Sequence, residues 1–361
     1  MQFAANRDNL LGVNPSEFRD LVSGRRRGLW AAVLRCGLRW AESPYTWAVR
    51  RRNRRYDSGA AAVHSVGVPV VSVGNLTLGG TGKTPMVEWI ARWFSDRGVS
   101  VGVVSRGYGA PRGGPNDEAQ ELGWKLPGVP HLQNPDRVAA ARRAIEEHGC
   151  RAILLDDAFQ HRRIRRDLDL VLLDALEPFG FDHVFPRGTL REPLEGLGRA
   201  DLVALSRADL LSPSERQEMR GRAERYAPRA AWLELAHVAR SLVAADRSEH
   251  PLESLAGRRV AAFCGIGNPA GFRHTLAACG CHVVDFREFS DHHAYTAGEL
   301  QRLAATAEQL DVAAVVCTQK DLVKLGIDRL GDRPLRAVRI GLEILAGRDV
   351  LEARLAALLG D

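Results

Sequence analysis

The chain has 361 residues, 45% hydrophobic and 26% charged, an ordinary globular composition whose length asks for two domains. Six cysteines show neither a zinc spacing nor the framework of a secreted disulfide scaffold, and Cys279-x-Cys281 is too tight for a CxxC pair; a reducing, cytoplasmic setting fits. The formal charge of +6 is uneven, because residues 1–55 carry twelve arginines against four acids, a surplus of eight that leaves the remainder slightly acidic.

Met1 to Gly12 is mostly polar and lacks the apolar core of a cleavable signal peptide. Arg25-Arg26-Arg27 then precedes LWAAVLRCGLRWAESPYTWAV, and Arg50-Arg51-Arg52-Asn53-Arg54-Arg55 follows it. At helical spacing Leu29, Trp30, Val33, Leu34, Cys36, Leu38 and Trp40 spread over one broad face, with Arg35 and Arg39 opposite. No uninterrupted apolar run reaches the ~18 residues of a spanning helix. A basic amphipathic helix edged with Trp is what lies in a membrane interface; the alternative is a helix packed on its own domain with solvated arginines. Such a basic segment takes an anionic partner, a membrane or a nucleic acid.

Val70-Val71-Ser72-Val73 is a short buried strand. Gly79-Gly80-Thr81-Gly82-Lys83-Thr84 follows and opens an apolar-periodic helix with Met86, Ile90, Trp93 and Phe94. This is the layout of a phosphate-binding P-loop, in which glycines let backbone N–H groups point inward and the helix N-terminus adds a positive field. Lys83 reaches the β/γ-phosphates and the Thr84 hydroxyl ligates Mg²⁺. The pattern is redrawn, since Thr77 stands where G-x-x-x-x-G-K-[ST] wants its first glycine. A nucleoside triphosphate is the implied ligand, with Thr77, Leu78, Gly79, Gly80, Thr81, Gly82, Lys83 and Thr84 as its cradle.

A second strand, Val99 to Val104, runs into Ser105-Arg106-Gly107-Tyr108-Gly109, whose Arg and Tyr are candidate substrate contacts at a strand end. Asp117-Glu118 reads as a helix start. A helix over 136–149 leads to the strand Cys150 to Leu155, tipped with Asp156-Asp157. An apolar strand ending in Asp downstream of a P-loop is the expected Mg²⁺-side carboxylate. Ala158-Phe159-Gln160-His161 and four arginines (162, 163, 165, 166) follow, then a strand from Leu168 ending at Asp174. The loop FGFDHVFPRGTLREP (179–193) brings Arg187, Arg191 and Glu192, and its arginines suit phosphate or charge stabilisation, or equally pairing with surface acids. Asp201 to Leu205 is one more strand, closed by Ser206-Arg207-Ala208-Asp209. Alternating strands and helices predict a doubly wound, mostly parallel α/β sheet.

A second unit opens near Leu255, with a strand Arg259 to Cys264 turning through Gly265-Ile266-Gly267-Asn268-Pro269. A strand from Cys281 leads to Phe289-Ser290-Asp291-His292-His293, where one histidine suits hydrogen bonding or acid/base work better than both suit a metal. Thr318-Gln319-Lys320-Asp321 closes the strand Val312 to Cys317. GTPases read guanine with a Lys and an Asp one residue apart, and the adjacency of Lys320 and Asp321 counts against that class.

Together VPVVSVGNLTLGGTGKTP (68–85), VVSRGYG (103–109), NDEA (116–119), LDDAFQHRR (155–163), FPRGTLREP (185–193), GIGNP (265–269), FSDHH (289–293) and TQKD (318–321) resemble the tetraacyldisaccharide 4′-kinase family, the lipid A 4′-kinases. The resemblance implies ATP- and Mg²⁺-dependent phosphorylation of the 4′-hydroxyl of a tetraacylated glucosamine disaccharide 1-phosphate at the cytoplasmic face of the bacterial inner membrane. It implies a P-loop NTPase-like α/β domain, a second smaller α/β domain, a small β linker between them and a lipid-facing N-terminal helix. Residues 1–60, 61–250 and 251–361 are then the membrane-associating segment, the kinase domain and the domain that completes the cleft. By motif, Asp117 is the base for the sugar hydroxyl and His292 its partner. Thr84, Asp156, Asp157 and Gln160 stand on the Mg²⁺ side, and Tyr108, Arg137 and Arg191 meet substrate or phosphate. Asn116 and Ala119 depart from the family's Gly and Pro around Asp117, and the 108–117 segment is short. Two other classes stay open on the residues alone: a P-loop switch or cofactor/metal chaperone, and a nucleic-acid-dependent NTPase.

Overall fold

A computed structural model describes residues 15–107, 117–291 and 293–360, with backbone only for Pro15, Ser16, Asp117 and Glu118. Two helices come first, α1 (Pro15–Val22) and α2 (Leu29–Asp57). The order continues β1 (Val70–Asn75), α3 (Lys83–Ser95), β2 (Val101–Ser105), α4 (Asp117–Lys125), β3 (His131–Gln133), α5 (Arg137–His148), β4 (Ala152–Asp156), β5 (Leu168–Asp174), β6 (Leu202–Ser206), α6 (Pro213–Glu224) and β7 (Ala231–Val243). It closes with β8 (Glu249–His250), β9 (Arg259–Cys264), α7 (Pro269–Ala278), β10 (His282–Glu288), α8 (Ala297–Gln309), β11 (Ala314–Thr318), α9 (Gln319–Leu325), β12 (Arg329–Leu330), β13 (Arg333–Ala346) and α10 (Arg348–Ala357).

Local chemistry explains many boundaries. The Asp136 carboxylate accepts from Val138 N and Ala139 N to start α5, and left-handed Gly149 stops it. Ser212/Glu215 and Thr296/Glu299 form capping boxes on α6 and α8.

The strands pair in the order β10-β9-β11-β13-β7-β6-β5-β1-β4-β2-β3, with β8 on β7 and β12 on β13. The neighbours from β7 to β3 are parallel, as are those from β13 to β10. Two parallel blocks therefore meet at one long antiparallel pair, β7 with β13. The doubly wound expectation holds for each block. Alternate residues of a strand serve opposite layers: Ala152 and Leu154 join a core with α3 and α10, while Ile153 and Leu155 join one with α5. Each fully buried leucine contributes about 1.5–3 kcal/mol, and Leu154→Ala would cost about 2–5 kcal/mol. The position 250 boundary falls after β8; β13 and α10 come back across it, and Leu351 and Leu355 of α10 pack with Val71 and Val73 of β1. The ends of β1, β4, β5 and β6 then open onto one edge of the sheet, where ligands of such folds bind.

Candidate active site

Buried β1 delivers the chain to the phosphate loop. The loop is pinned from outside by a strand-like contact with residues 189–191: Leu78 N donates to Thr189 O at 2.8 Å, and Arg191 N to Leu76 O at 2.7 Å. Asn75 Nδ2 donates to Thr77 O at 2.9 Å, and both Thr77 and Thr81 are buried. Gly79 and Gly82 take φ of 109° and 82°, conformations that favour glycine. A Cβ on Gly82 would stand 2.4 Å from His237 Nε2 and 2.9 Å from Ser206 Oγ. Gly82 caps α3, so Lys83 and Thr84 are its first residues, where N–H groups and the helix field suit phosphate.

Asp157 is the hub of the site. It follows β4 with φ of 51°, a left-handed position unusual for a residue with a Cβ. Lys83 Nζ lies 3.4 Å from its Oδ1, and Arg191 Nη1 donates to both carboxylate oxygens at 2.8 and 2.9 Å. Arg137, buried at the start of α5, donates through Nη2 to the Asp157 carbonyl at 3.4 Å. Burial alone would raise the Asp157 pKa, but Lys83 and Arg191 outweigh it and hold the carboxyl well below the usual range. Burial likewise lowers Arg137, against the pull of Asp157. Four residues that the sequence spreads over 83–191 thus converge.

Asp156 is buried at the tip of β4, in register with Val73 of β1. Gln160 spends its amide nitrogen on Asn75 O at 2.8 Å and Glu192 Oε1 at 3.1 Å, which ties the segment after β4 to the loop after β1. A Cβ on Gly74 would fall 2.6 Å from that of Phe159, so this tie is close-packed. His161 lies beside Arg137, Arg163 and Arg166; burial first, and these cations second, push it down to about 4. Tyr108 and His292 lie outside the described residues, and Asp117 is placed only as the first residue of α4.

Two residues carry contacts that the sequence did not assign to them. Glu192 is fully buried and accepts from Arg199 Nη2 at 2.9 and 3.0 Å, from Gln160, and from Asn53 Nδ2 of α2 at 2.8 Å. Its only signal was its place in FPRGTLREP. Arg19 of α1 reaches over Gly79, where a Cβ would stand 2.5 Å from Nη2, and its Nη1 donates to Gly267 O at 3.2 Å. No motif announced it.

The sequence profile of the Tetraacyldisaccharide-1-P 4′-kinase family matches residues 34–360. The chain belongs to the tetraacyldisaccharide 4′-kinase family. Tetraacyldisaccharide 4′-kinase of Anaeromyxobacter dehalogenans strain 2CP-C is 44% identical to this family member over 351 residues, 92% of each chain. That of Desulfatibacillum aliphaticivorans is 38% identical over 344 residues, 88% of this chain and 89% of that one. Among solved structures, LpxK from Aquifex aeolicus in complex with ATP is similar with a TM-score of 0.70 and 27% identity, covering 90% of this chain and 99% of that one.

Proposed function

We propose that this kinase transfers the γ-phosphoryl group of ATP to the 4′-hydroxyl of a tetraacylated glucosamine disaccharide 1-phosphate, in the lipid A pathway. The observation that carries the site is the Lys83–Asp157–Arg191 cluster at the mouth of the phosphate loop. Phosphoryl transfer asks mostly for positioning and for charge to offset the phosphates. Lys83 supplies that charge on the loop side and Arg191 on the other. Asp157 holds both cations in place, and its φ fixes where they meet.

Thr84 and Asp156 are the residues that would hold Mg²⁺. Thr84 stands in the first turn of α3 and Asp156 at the tip of β4, next to β1, and their hard oxygens suit an ion bound through one or two protein oxygens, the phosphates and water. When bound, the ion offsets phosphate charge. Asp157 and Gln160 serve that side indirectly, through Lys83, Arg191 and Glu192.

Asp117 is the base that takes the hydroxyl proton, and His292 pairs with it and tunes it. Two neighbouring features bring the surrounding elements towards the nucleotide side. The helix α4, which Asp117 opens, packs against both α3 and α9. A Cβ on Gly267 would stand 3.0 Å from Asp291 Oδ2, and Arg19 links Gly267 to the phosphate loop. Tyr108, Arg137 and Arg191 meet substrate or phosphate.

The lipid arrives from a membrane that α2 contacts. Its inward face is polar: Glu42 accepts from Val184 N at 2.7 Å and pairs with His183, Tyr45 Oη donates to Arg191 O at 3.2 Å, and Arg35 donates to Leu21 O and Arg26 O. The apolar residues face out, Trp30 82% and Trp40 79% exposed, with Leu29, Val33 and Trp47 alongside. A helix that turns its polar side inward and its tryptophans outward suits a bilayer interface with anionic lipid. Among the described residues no helix is long and apolar enough to cross a membrane. The reading is peripheral attachment at the cytoplasmic face of the inner membrane.

The deciding experiment is transfer from γ-labelled ATP to a tetraacyldisaccharide 1-phosphate in detergent, for the wild type and Asp117→Ala. A labelled bisphosphate that nearly vanishes in the variant is expected. Product surviving in the variant would move the base elsewhere, and ATP hydrolysis with no lipid product would sink the lipid-kinase reading.

A further inference from the structure

Helix α1 lies ahead of residues 34–360, the stretch that the family profile matches. Its seat is nonetheless well made. Leu21 and Val22 are buried, Arg187 Nη1 donates to Val22 O at 3.0 Å, and Arg35 Nη1 donates to Leu21 O at 3.3 Å. The Phe18 and Phe185 rings stand 6.1 Å apart. This seat fixes where Arg19 can reach.

The Arg19 guanidinium has three neighbours. Nη1 donates to Gly267 O at 3.2 Å, in the loop after β9. Nε lies 3.8 Å from Glu177 Oε2, just past β5. Nη2 covers Gly79 so closely that a Cβ there would stand 2.5 Å from it. Glu177 in turn accepts from Thr189 Oγ1, and Thr189 O accepts from Leu78 N, the residue before Gly79. Among the described residues Nη2 has no hydrogen-bond acceptor, and the side chain keeps 40% of its surface exposed. Gly79 therefore has two reasons to lack a side chain, its φ of 109° and the guanidinium lying over it.

The phosphate loop follows β1 in one parallel block, and Gly267 follows β9 in the other. Arg19 thus spans the two blocks at their C-terminal strand ends, where nucleotide and acceptor must meet. Lys83 and Arg191 are both engaged by Asp157, whereas Arg19 keeps a donor open beside the loop. A planar guanidinium with a free N–H suits a phosphate oxygen. We propose that Arg19 is a catalytic arginine supplied in cis, its Nη2 donating to the γ-phosphoryl group of the nucleotide during transfer. This rests on the kinase reading above and adds a residue to it. In the transfer the bond from the γ-phosphorus to the β,γ-bridging oxygen breaks and the bond from the acceptor oxygen forms. The hydroxyl proton passes to Asp117, and the electron pair of the broken bond leaves with ADP. Arg19 keeps its protons throughout and offsets charge on the γ-oxygens. An arginine in that role accelerates transfer by about 10³–10⁵.

The test compares the full-length wild type with Arg19→Ala in detergent. It measures kcat for labelled lipid product, affinity for ATP, and affinity for ADP with aluminium fluoride, a stand-in for the moving phosphoryl group. Arg19 is half-buried at the surface, so the variant folds, and its melting temperature checks this. The expected result is a fall of more than about 10²-fold in kcat and in affinity for the aluminium fluoride complex, with ATP affinity within about threefold of the wild type. A residue that merely ties the two blocks together would weaken both ligands alike. That outcome, or a smaller fall in kcat, overturns the role of Arg19 and leaves the kinase reading standing. No lipid product from the wild type would overturn both.

Discussion

Lys83 and Arg191 hold one carboxylate between them, that of Asp157, at 3.4 and 2.8 Å, although more than a hundred residues separate the two cations. Neither cation has to be ordered when ATP arrives, which lowers the reorganisation the transition state demands. Lys83→Met and Asp157→Asn are each expected to lower kcat/KM by about 10²–10³, the range for loss of one preorganised electrostatic group. The double variant should fall well short of the product of the two, because the groups act as a unit. Steady-state kinetics on the three variants decides it, and full additivity would show that the two act separately.

Gly82→Ala should nearly abolish nucleotide binding. The φ of 82° costs a residue with a Cβ about 1–3 kcal/mol, and that Cβ meets the His237 ring at under 3 Å. A dissociation constant for ATP within twofold of the wild type would contradict this geometry.

Lys125 is almost fully buried at the end of α4, 2.7 Å from Glu121 and 3.6 Å from Glu88 of α3. Arg92 adds to the same cluster, 3.1 Å from Glu88, with its Nη2 donating to Lys125 O. Lys125→Met leaves the buried Glu121 without its nearest cation, while Glu88 keeps Arg92, and should cost about 3–5 kcal/mol. Burial raises the Glu121 pKa, but Lys125 and Lys320 bring it net below the ordinary value. Its stabilisation is therefore present above the usual carboxylate range and is lost as pH falls through the lowered value. Urea titrations at neutral and acid pH should show the variant losing both stability and part of this acid sensitivity.

Burial pushes the His237 imidazole down to about 3, with Arg207 and Lys125 adding to the effect. The folded value lies below the unfolded one of about 6.5. The stabilisation from keeping the ring neutral is complete above pH ~6.5 and falls by about 1.4 kcal/mol per pH unit below it. His237→Gln should flatten the pH dependence of unfolding between pH ~6.5 and ~4 by close to one proton. An unchanged slope would mean that the ring titrates normally.

Trp30→Glu with Trp40→Glu should leave the melting temperature unchanged and weaken sedimentation with anionic vesicles by more than tenfold. Each large apolar side chain contributes about 1.5–3 kcal/mol when taken out of water, and both rings are exposed. Equal vesicle binding by the variant would remove α2 from the membrane contact.

Much of the site was legible because its parts are local. Gly79 to Thr84 is one turn between a strand and a helix, and Asp156-Asp157 caps an apolar strand, so chain-neighbour patterns suffice to find both. Arg191 was visible as an arginine in a loop, but its partner was not, since the ion pair with Asp157 depends on how residues 189–191 lie along the phosphate loop. Arg19 lacked any local pattern, and Glu192 was visible only as part of a loop motif; each matters through contacts between segments distant in sequence.

The sequence by itself determined the alternation of strands and helices, the phosphate loop and the amphipathic character of residues 29–48, because side-chain periodicity and glycine backbone preferences act over a few residues. Only the tertiary structure decided that two parallel blocks join at the antiparallel pair of β7 and β13, that α10 returns to the core beside β1, and that the polar side of α2 turns inward. Those outcomes depend on which apolar faces find each other and on which buried carboxylates find a partner, long-range choices that no window of sequence contains.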